Sequence, residues 1–327
     1  MAKNTTRFYC KSCGHEELRW LGQCPGCREW NTFAEVKVTA KSASKGARGF
    51  STAGRGAPVA GPGGKVRPVP LAEVSSAETS RLPVEPAEVA RVLGGGLVEG
   101  SVVLLGGEPG VGKSTLLTGL ALWWVRQGVR VIYVAGEESP AQIRMRAERL
   151  GFVPETEEGF HILQEVHLEH LIETLEAEAP AGDEDPSTVI IADSVQTLHS
   201  EHIDSFPGSP TQIRYCGGVL ADFARHSGHP VFLVGHVTKS GDLAGPKLLE
   251  HMVDTVLYFE GSGGGAVRMV RAVKNRFGTT GEMADQEIRA EGLQPVDQAG
   301  VHNLSGRRGV EPRSAVCAVK NASPNYL

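Results

Sequence analysis

Residues 101–117 read SVVLLGGEPGVGKSTLL, and the fold follows from this stretch. Ser101–Leu105 is a short, continuous apolar run, the pattern of a strand buried on both faces. Gly107-Glu108-Pro109-Gly110-Val111-Gly112-Lys113-Ser114-Thr115 follows at once with the spacing G-x-x-x-x-G-K-S, and the helix-forming run STLLTGLALWWVRQ opens behind it. A strand before and a helix after are the context this loop needs to bind a nucleoside triphosphate. Its glycines let backbone N–H groups wrap the phosphates, and the helix N-terminus adds its dipole. Lys113 is placed to reach the β- and γ-phosphates and Ser114 to ligate Mg²⁺.

Further strands alternate with helical runs on the C-terminal side, which predicts an α/β fold with a central, mainly parallel sheet. Val189-Ile190-Ile191-Ala192 is a buried strand delivering Asp193 at its carboxyl end, where a carboxylate can hold Mg²⁺ directly or through water. Arg130–Ala135 is another, ending in Gly136-Glu137-Glu138-Ser139. Ser139 and Pro140 read as N-cap and first residue of the next helix, with Gly151 as its stop. A carboxylate at residue 137 or 138 could orient water for attack on a γ-phosphate. Equally, both acids could merely favour a helix N-terminus, by about 0.3–1 kcal/mol, and position alone does not choose. A fourth strand, Val231–Val234, leads to His236, from which a side chain could sense the γ-phosphate.

Four of the six cysteines form a pattern: Cys10-x-x-Cys13, ten intervening residues, then Cys24-x-x-Cys27. Two such knuckles supply the four thiolates of a tetrahedral Zn²⁺ site, and Gly14 and Pro25-Gly26 suit the turns. A segment this short has little core of its own, so metal binding supplies much of its folding energy. Two disulfides do not suit a cytosolic chain; haem attachment would need His where Gly14 stands; His15 is not needed by a site that four cysteines close. Cys216 and Cys317 are isolated and read as buried or inert thiols.

The net charge of −5 hides an asymmetry: residues 1–72 carry 12 Lys+Arg against 4 Asp+Glu, and residues 73–327 carry 21 against 34. A basic arm on an acidic body suggests an anionic partner, nucleic acid first. Much of that arm is residues 37–70, Gly, Ala, Ser and Pro punctuated by Lys and Arg with no apolar period, which reads as a flexible linker. No apolar stretch is long enough for a membrane span and no secretion signal is visible, so a cytoplasmic protein without a membrane partner is expected.

Together these segments resemble one family, the bacterial RadA/Sms DNA repair ATPases with a RecA-like core. The resemblance is carried by CKSCGHEELRWLGQCPGCREWNTF (10–33), GGEPGVGKSTLL (106–117), YVAGEES (133–139), IIADSVQT (190–197), GHVTKSGDLAGPKLLEHMVDTVLYFEG (235–261) and KNRFG (274–278). It implies a RecA-like P-loop ATPase fold with an N-terminal zinc ribbon, Glu137 rather than Glu138 as the residue activating water, and His236 at a switch position. It also implies that Lys274 and Arg276 reach into a neighbour's ATP site, where a cation arriving in trans stabilises transition-state charge. The implied partners are single-stranded or branched DNA, the RecA recombinase, and further copies of the chain in a hexameric ring. DNA-contacting loops are expected at 197–215 and 238–247, with Arg214, Lys239 and Lys247 as phosphate contacts.

The expected organisation is therefore a ribbon over 1–36, a linker over 37–70, a core over 71–283 and an irregular tail over 284–327. The family's Lon-like C-terminal domain does not fit in that tail, which suggests a truncated product or a change of reading frame soon after Gly278. The expected function is DNA-dependent ATP hydrolysis in recombination and repair. Its rivals are a nucleotide- and DNA-binding module without motor activity and a RecA-fold signalling phosphotransferase.

Overall fold

The computed structural model describes residues 5–10, 16–25, 28–38, 70, 80–179, 188–236, 246–261, 266–289, 292–296, 317–320 and 323–326. Three short strands, β1 (Thr5–Cys10), β2 (Glu16–Glu17) and β3 (Phe33–Val38), form an antiparallel N-terminal sheet in the order β2-β1-β3. Of the expected linker only residues 37, 38 and 70 lie among those described.

The core opens with β4 (Arg81–Leu82), α1 (Ala87–Val92) and β5 (Leu97–Val98), β4 and β5 forming a two-residue ladder. Then come β6 (Val102–Gly107), α2 (Lys113–Arg126), β7 (Arg130–Ala135), α3 (Pro140–Arg149), β8 (Phe160–Leu163), α4 (Leu168–Glu178), β9 (Thr188–Asp193), α5 (Pro210–Ser227) and β10 (Val231–His236). After α6 (Pro246–Leu249) the chain runs through β11 (Thr255–Gly261), β12 (Val267–Asn275), β13 (Met283–Arg289) and β14 (Gly292–Pro295). Nine of these strands make one sheet in the order β14-β13-β12-β11-β6-β10-β9-β7-β8. The six from β11 to β8 are parallel, and β12, β13 and β14 add an antiparallel edge.

The four expected strands are there because each is a run of apolar residues that both faces can bury. On β9, Val189 and Ile191 enter one apolar layer with Leu117, Trp124 and Phe232, while Ile190 and Ala192 enter the other with Leu171, Leu220 and Phe223. Alternation along a strand thus feeds two cores at once. The α3 start is capped as its sequence implies: Ser139 and Gln142 form a reciprocal capping box with Pro140 at the first turn.

The expectation that the core ends at residue 283 and an irregular tail begins there is corrected. β13 and β14 carry the central sheet to Pro295, and β15 (Cys317–Lys320) pairs with β16 (Ser323–Tyr326) in a separate hairpin. In MADQEIR the inward positions include Ala284 and Gln286, both fully buried. A small residue and a polar one at core positions hide the apolar alternation that marks a strand. Among the described residues no helix is long and apolar enough to cross a membrane.

Trp124 is the largest of the fully buried side chains; its ring tilts against Phe232 and its indole N–H donates to the Pro83 carbonyl at 2.9 Å. Trp124→Ala should therefore cost about 3–5 kcal/mol of stability, read by chemical denaturation; a loss under about 1 kcal/mol would mean the layer collapses onto the cavity.

Candidate active site and zinc ribbon

The carboxyl ends of parallel strands are where an α/β sheet gathers its ligand-binding groups, and here register decides which residues meet. On β6, Gly107 lies beside His236 at the end of β10; on β7, Ala135 lies beside Asp193 at the end of β9. Glu137 follows two residues beyond. Four strand ends thus present Lys113, Glu137, Asp193 and His236 along one edge.

The loop between β6 and α2 needs its glycines. A Cβ on Gly107 would stand 2.5 Å from the Phe259 carbonyl oxygen, and Gly112 sits at φ 111°, where an L side chain is strained. Glu108, Pro109 and Gly110 form the exposed crest, whereas Val111 is buried and Gly112, Ser114 and Thr115 are partly so. Lys113 is only 4% exposed. Its ammonium donates to the carbonyls of Gly107 and Glu108, each at 2.9 Å, and lies 3.1 Å from His236 Nδ1. Burial lowers its pKa, and the charges of Asp193 and Glu137 act the other way.

His236 Nε2 lies 2.8 Å from Glu137 Oε1, and the Ser194 hydroxyl donates to the same oxygen. Chiefly through the His236 bond, the Glu137 carboxyl is held below its ordinary value; burial opposes this, and Ser194 and Lys113 assist. Glu138 faces elsewhere: both its carboxylate oxygens take hydrogen bonds from Arg146 of α3. Asp193 is buried and accepts from the Tyr133 hydroxyl at 2.5 Å. Burial, with Asp193 next, pushes that phenol well above its ordinary range, so it remains a donor.

Two contributors were not among the expected site residues. Tyr133 stands within YVAGEES but meets Asp193 only through the pairing of β7 with β9, and Arg268 of β12 donates from Nε to the Val111 carbonyl at 3.1 Å. No local sequence signal gives either residue its role. A Tyr in a strand reads as core until the neighbouring strand is known.

Lys274 and Arg276 do not join this cluster. Lys274 donates to the carbonyls of Glu250 at 2.6 Å and Val253 at 2.7 Å, and Arg276 pairs with Asp254 at 2.8 Å. Asp254 also accepts from the Val102 amide, at the opposite end of β6 from Gly107. At about 3.3 Å per strand residue, roughly 16 Å separates that end from the phosphate loop.

Of the expected DNA contacts, Arg214 is exposed on α5, Lys239 lies outside the described residues, and Lys247 lies in α6 with its side chain outside them. The chain between β9 and α5 is held by Gln212, whose side-chain amide donates to Ser200, Ile203 and Ser205 carbonyls at 2.9–3.0 Å and accepts from the Ser200 amide.

In the N-terminal sheet Cys10 and Cys24 are both fully buried, clustered with Phe33 and flanked by Phe8 and Leu21. Cys10 Sγ lies 3.1 Å from Thr32 Oγ1. The Cys24 amide donates to the Glu29 carbonyl at 2.9 Å and its carbonyl accepts from the Arg28 amide at 2.8 Å, closing a tight turn after the cysteine. Cys13 and Cys27 lie outside the described residues. Among the described residues the buried centre here is Cys10, Cys24 and Phe33, a donor set that suits a thiolate-bound Zn²⁺ better than packing alone.

A family profile described as an AAA domain matches residues 67–242, and one described as a rubredoxin metal binding domain matches residues 8–35. The chain is 41% identical to the DNA repair protein RadA of Halalkalibacterium halodurans over 99% of its own length and 67% of that protein's. It is 43% identical to the RadA protein of Bacillus subtilis over 90% of this chain and 60% of that one. With the RadA protein of Pseudomonas aeruginosa it shares 41% identity over all of its 327 residues, residues 284–327 included, and 67% of the relative. The chain thus spans about two thirds of the length of the relatives it matches. Among solved structures, that of the RadB recombinase superposes with a TM-score of 0.50 at 21% identity, over 64% of this chain and 97% of that one, which is a likeness of fold.

Because the bond from His236 is the main influence holding the Glu137 carboxyl down, His236→Ala should move its titration upward, toward that of an ordinary glutamate. A ¹³C NMR titration of the side-chain carboxyl reads this directly. The sign follows from linkage: a depressed carboxyl stabilises the fold above its unfolded-state pKa and loses that contribution as pH falls through the lower folded-state one. An unmoved titration would mean that Ser194 and Lys113 suffice.

Proposed function

The chain belongs to the RadA family of DNA repair proteins, and on that premise we propose that it is a DNA-dependent ATPase which processes recombination intermediates. It would move on single-stranded DNA and extend strand exchange begun by the RecA recombinase. The observation that carries the reading is the convergence of Lys113, Glu137, Asp193 and His236 on one edge of the sheet, beside a loop whose glycines leave room for phosphates.

Gly107 to Thr115 would hold the triphosphate, with Ser114 and Asp193 supporting Mg²⁺. When bound, that ion neutralises charge on the β- and γ-phosphate oxygens. Lys113 is desolvated and bonded only to neutral groups, so exchanging the Gly107 and Glu108 carbonyls for phosphate oxygens would give its charge an anionic partner. Glu137 would orient the attacking water. A carboxylate kept below its ordinary pKa is a weak base, suited to aligning water and taking its proton late, when the transferring phosphoryl group has largely parted from its leaving oxygen. Tyr133 would keep Asp193 facing the metal. His236 touches both Lys113 and Glu137, so a change at the γ-phosphate would reach the chain that follows β10 through it. Cys10, Cys13, Cys24 and Cys27 would hold Zn²⁺.

Lys274 and Arg276 would act in a second copy's site. Their place at the far end of β6 supports this, because within one chain they stand too far from the phosphate loop to touch it. Burial, and then Arg276 beside it, lower the Lys274 pKa, and its present partners are carbonyls that a phosphate would outbid. A ring, hexameric in this reading, provides such a neighbour.

The test is complementation. Lys113→Ala and Lys274→Ala/Arg276→Ala should each abolish DNA-stimulated ATP turnover, and mixing the two should restore part of it, since some interfaces would then pair an intact loop with an intact Lys274 and Arg276. A mixture as inactive as its components would remove the trans role. Turnover indifferent to single-stranded DNA in the wild type would remove the DNA-dependent reading and favour a signalling ATPase.

A further inference from the structure

The N-terminal ribbon carries a surface that neither zinc binding nor the ATPase core explains. Leu18, Trp20 and Trp30 are 72%, 51% and 69% exposed. The two indoles are not scattered. A Cβ placed on Gly22 would stand 3.6 Å from Trp30 Cζ3 and 3.8 Å from Trp20 Cη2, so both rings border one notch with Gly22 as its floor. The notch is held by backbone. Gln23 and Trp30 form an antiparallel bridge, the Asn31 amide donates to the Gly22 carbonyl at 2.7 Å, and the Gln23 side chain donates to the Arg28 carbonyl at 2.9 Å. These bonds close the same turn that buries Cys24, so zinc binding and the spacing of the indoles are set together.

Exposed tryptophan is costly to leave in water, and two of them across a glycine invite a flat partner. The charge around them indicates which. Arg19 directly precedes Trp20 and Arg28 lies two residues before Trp30 in the chain, both exposed; of the acids in the same segment, Glu16, Glu17 and Glu29, the last two are engaged in contacts of their own. Residues 37–70, directly downstream, contain seven Lys and Arg and no Asp or Glu. Aromatic faces interleaved with arginine, continued by a positive chain, are complementary to a strand whose bases are unpaired and whose backbone is anionic. A duplex keeps its base faces stacked and offers nothing for the notch to hold.

We infer that the ribbon is a second single-stranded DNA site, in which Trp20 and Trp30 take a base into the notch over Gly22 while Arg19 and Arg28 meet the phosphates. This rests on the reading of the chain as a single-strand-dependent ATPase, and adds to it a contact outside the core. The ribbon holds the strand by stacking, which tolerates any sequence, while the core hydrolyses ATP.

The test uses the full zinc-loaded chain and oligothymidylate, normal and abasic, with binding read by fluorescence anisotropy. Each indole removed should weaken binding to the normal strand about fivefold or more. Trp20→Leu/Trp30→Leu keeps an apolar surface and loses the π faces; it should bind the normal strand no better than the abasic one. Trp20→Phe/Trp30→Phe should recover much of the difference. Arg19→Ala/Arg28→Ala should instead flatten the salt dependence of binding. Zinc content, measured by dye release, shows whether the ribbon remains folded. If a variant loses its metal, crosslinking of iodouracil-substituted strand to the wild-type chain decides: adducts on Trp20 or Trp30 support the site, and adducts confined to the core overturn it.

Equal binding by the wild type and the Leu variant, with ATP turnover still stimulated by the strand, would overturn the ribbon site and leave the DNA-dependent ATPase standing. A wild type that neither binds the strand nor responds to it would overturn both. Loss of stimulation by RecA in the Leu variant, with strand binding unchanged, would give the notch to a protein partner and overturn the nucleic-acid assignment.

Discussion

A single buried ammonium organises the site. Lys113 stands at the start of α2 with its charge withdrawn from water, held by two loop carbonyls and beside an imidazole, with the carboxylates of Asp193 and Glu137 near enough to raise a pKa that burial lowers. None of these partners alone would keep a lysine charged in such a place. The cluster persists because four parallel strands end together, and strand register admits no half measures: a slip of one residue on β7 or β10 would turn Glu137 or His236 to the opposite face. The apolar layers above and below the sheet fix that register. Stability of the core and geometry of the site are therefore one property.

The same strand joins the phosphate loop to the segment that carries Lys274 and Arg276. β6 carries the phosphate loop at its carboxyl end, while at its amino end the Val102 amide is held by Asp254, whose other oxygen takes Arg276. Asn275 bonds the Val92 carbonyl, and Gly278 lies so close to Gly94 that a Cβ there would stand 2.7 Å from its neighbour's Cα. KNRFG thus spans the end of β12 and the bend after it, tied by these contacts to the loop after α1 and to the amino end of β6. If Lys274 and Arg276 serve another copy's site as proposed, such a mount would lose little side-chain freedom on docking.

What could be read from the sequence was what is local. The phosphate loop completes its geometry within a few residues, and fully buried parallel strands announce themselves as apolar runs. The antiparallel edge did not announce itself, because Gln286 occupies an inward position of β13 that an apolar residue would have marked. β8, four residues at the sheet's outer edge and only partly buried, gave too little pattern to count. Tyr133 and Asp193 are 60 residues apart in the chain and meet only because β7 lies beside β9. Contacts of that kind are products of topology, and no window of sequence contains them.

Glu137 and Glu138 show how topology assigns roles to like neighbours. As letters they are equivalent: two carboxylates past the end of one strand, at the entrance to one helix. The helix that follows removes the equivalence. Arg146, two turns into α3, is held in reach of residue 138 by the capping box that sets the direction of the helix, and it engages both oxygens of Glu138. A carboxylate occupied in this way has little left to offer water. Glu137, turned to the other side, meets a hydroxyl and an imidazole that leave its second oxygen out of their bonds and its charge intact. Of the two acids, it is therefore Glu137 that stays open toward the phosphate loop, because the arginine claims its neighbour.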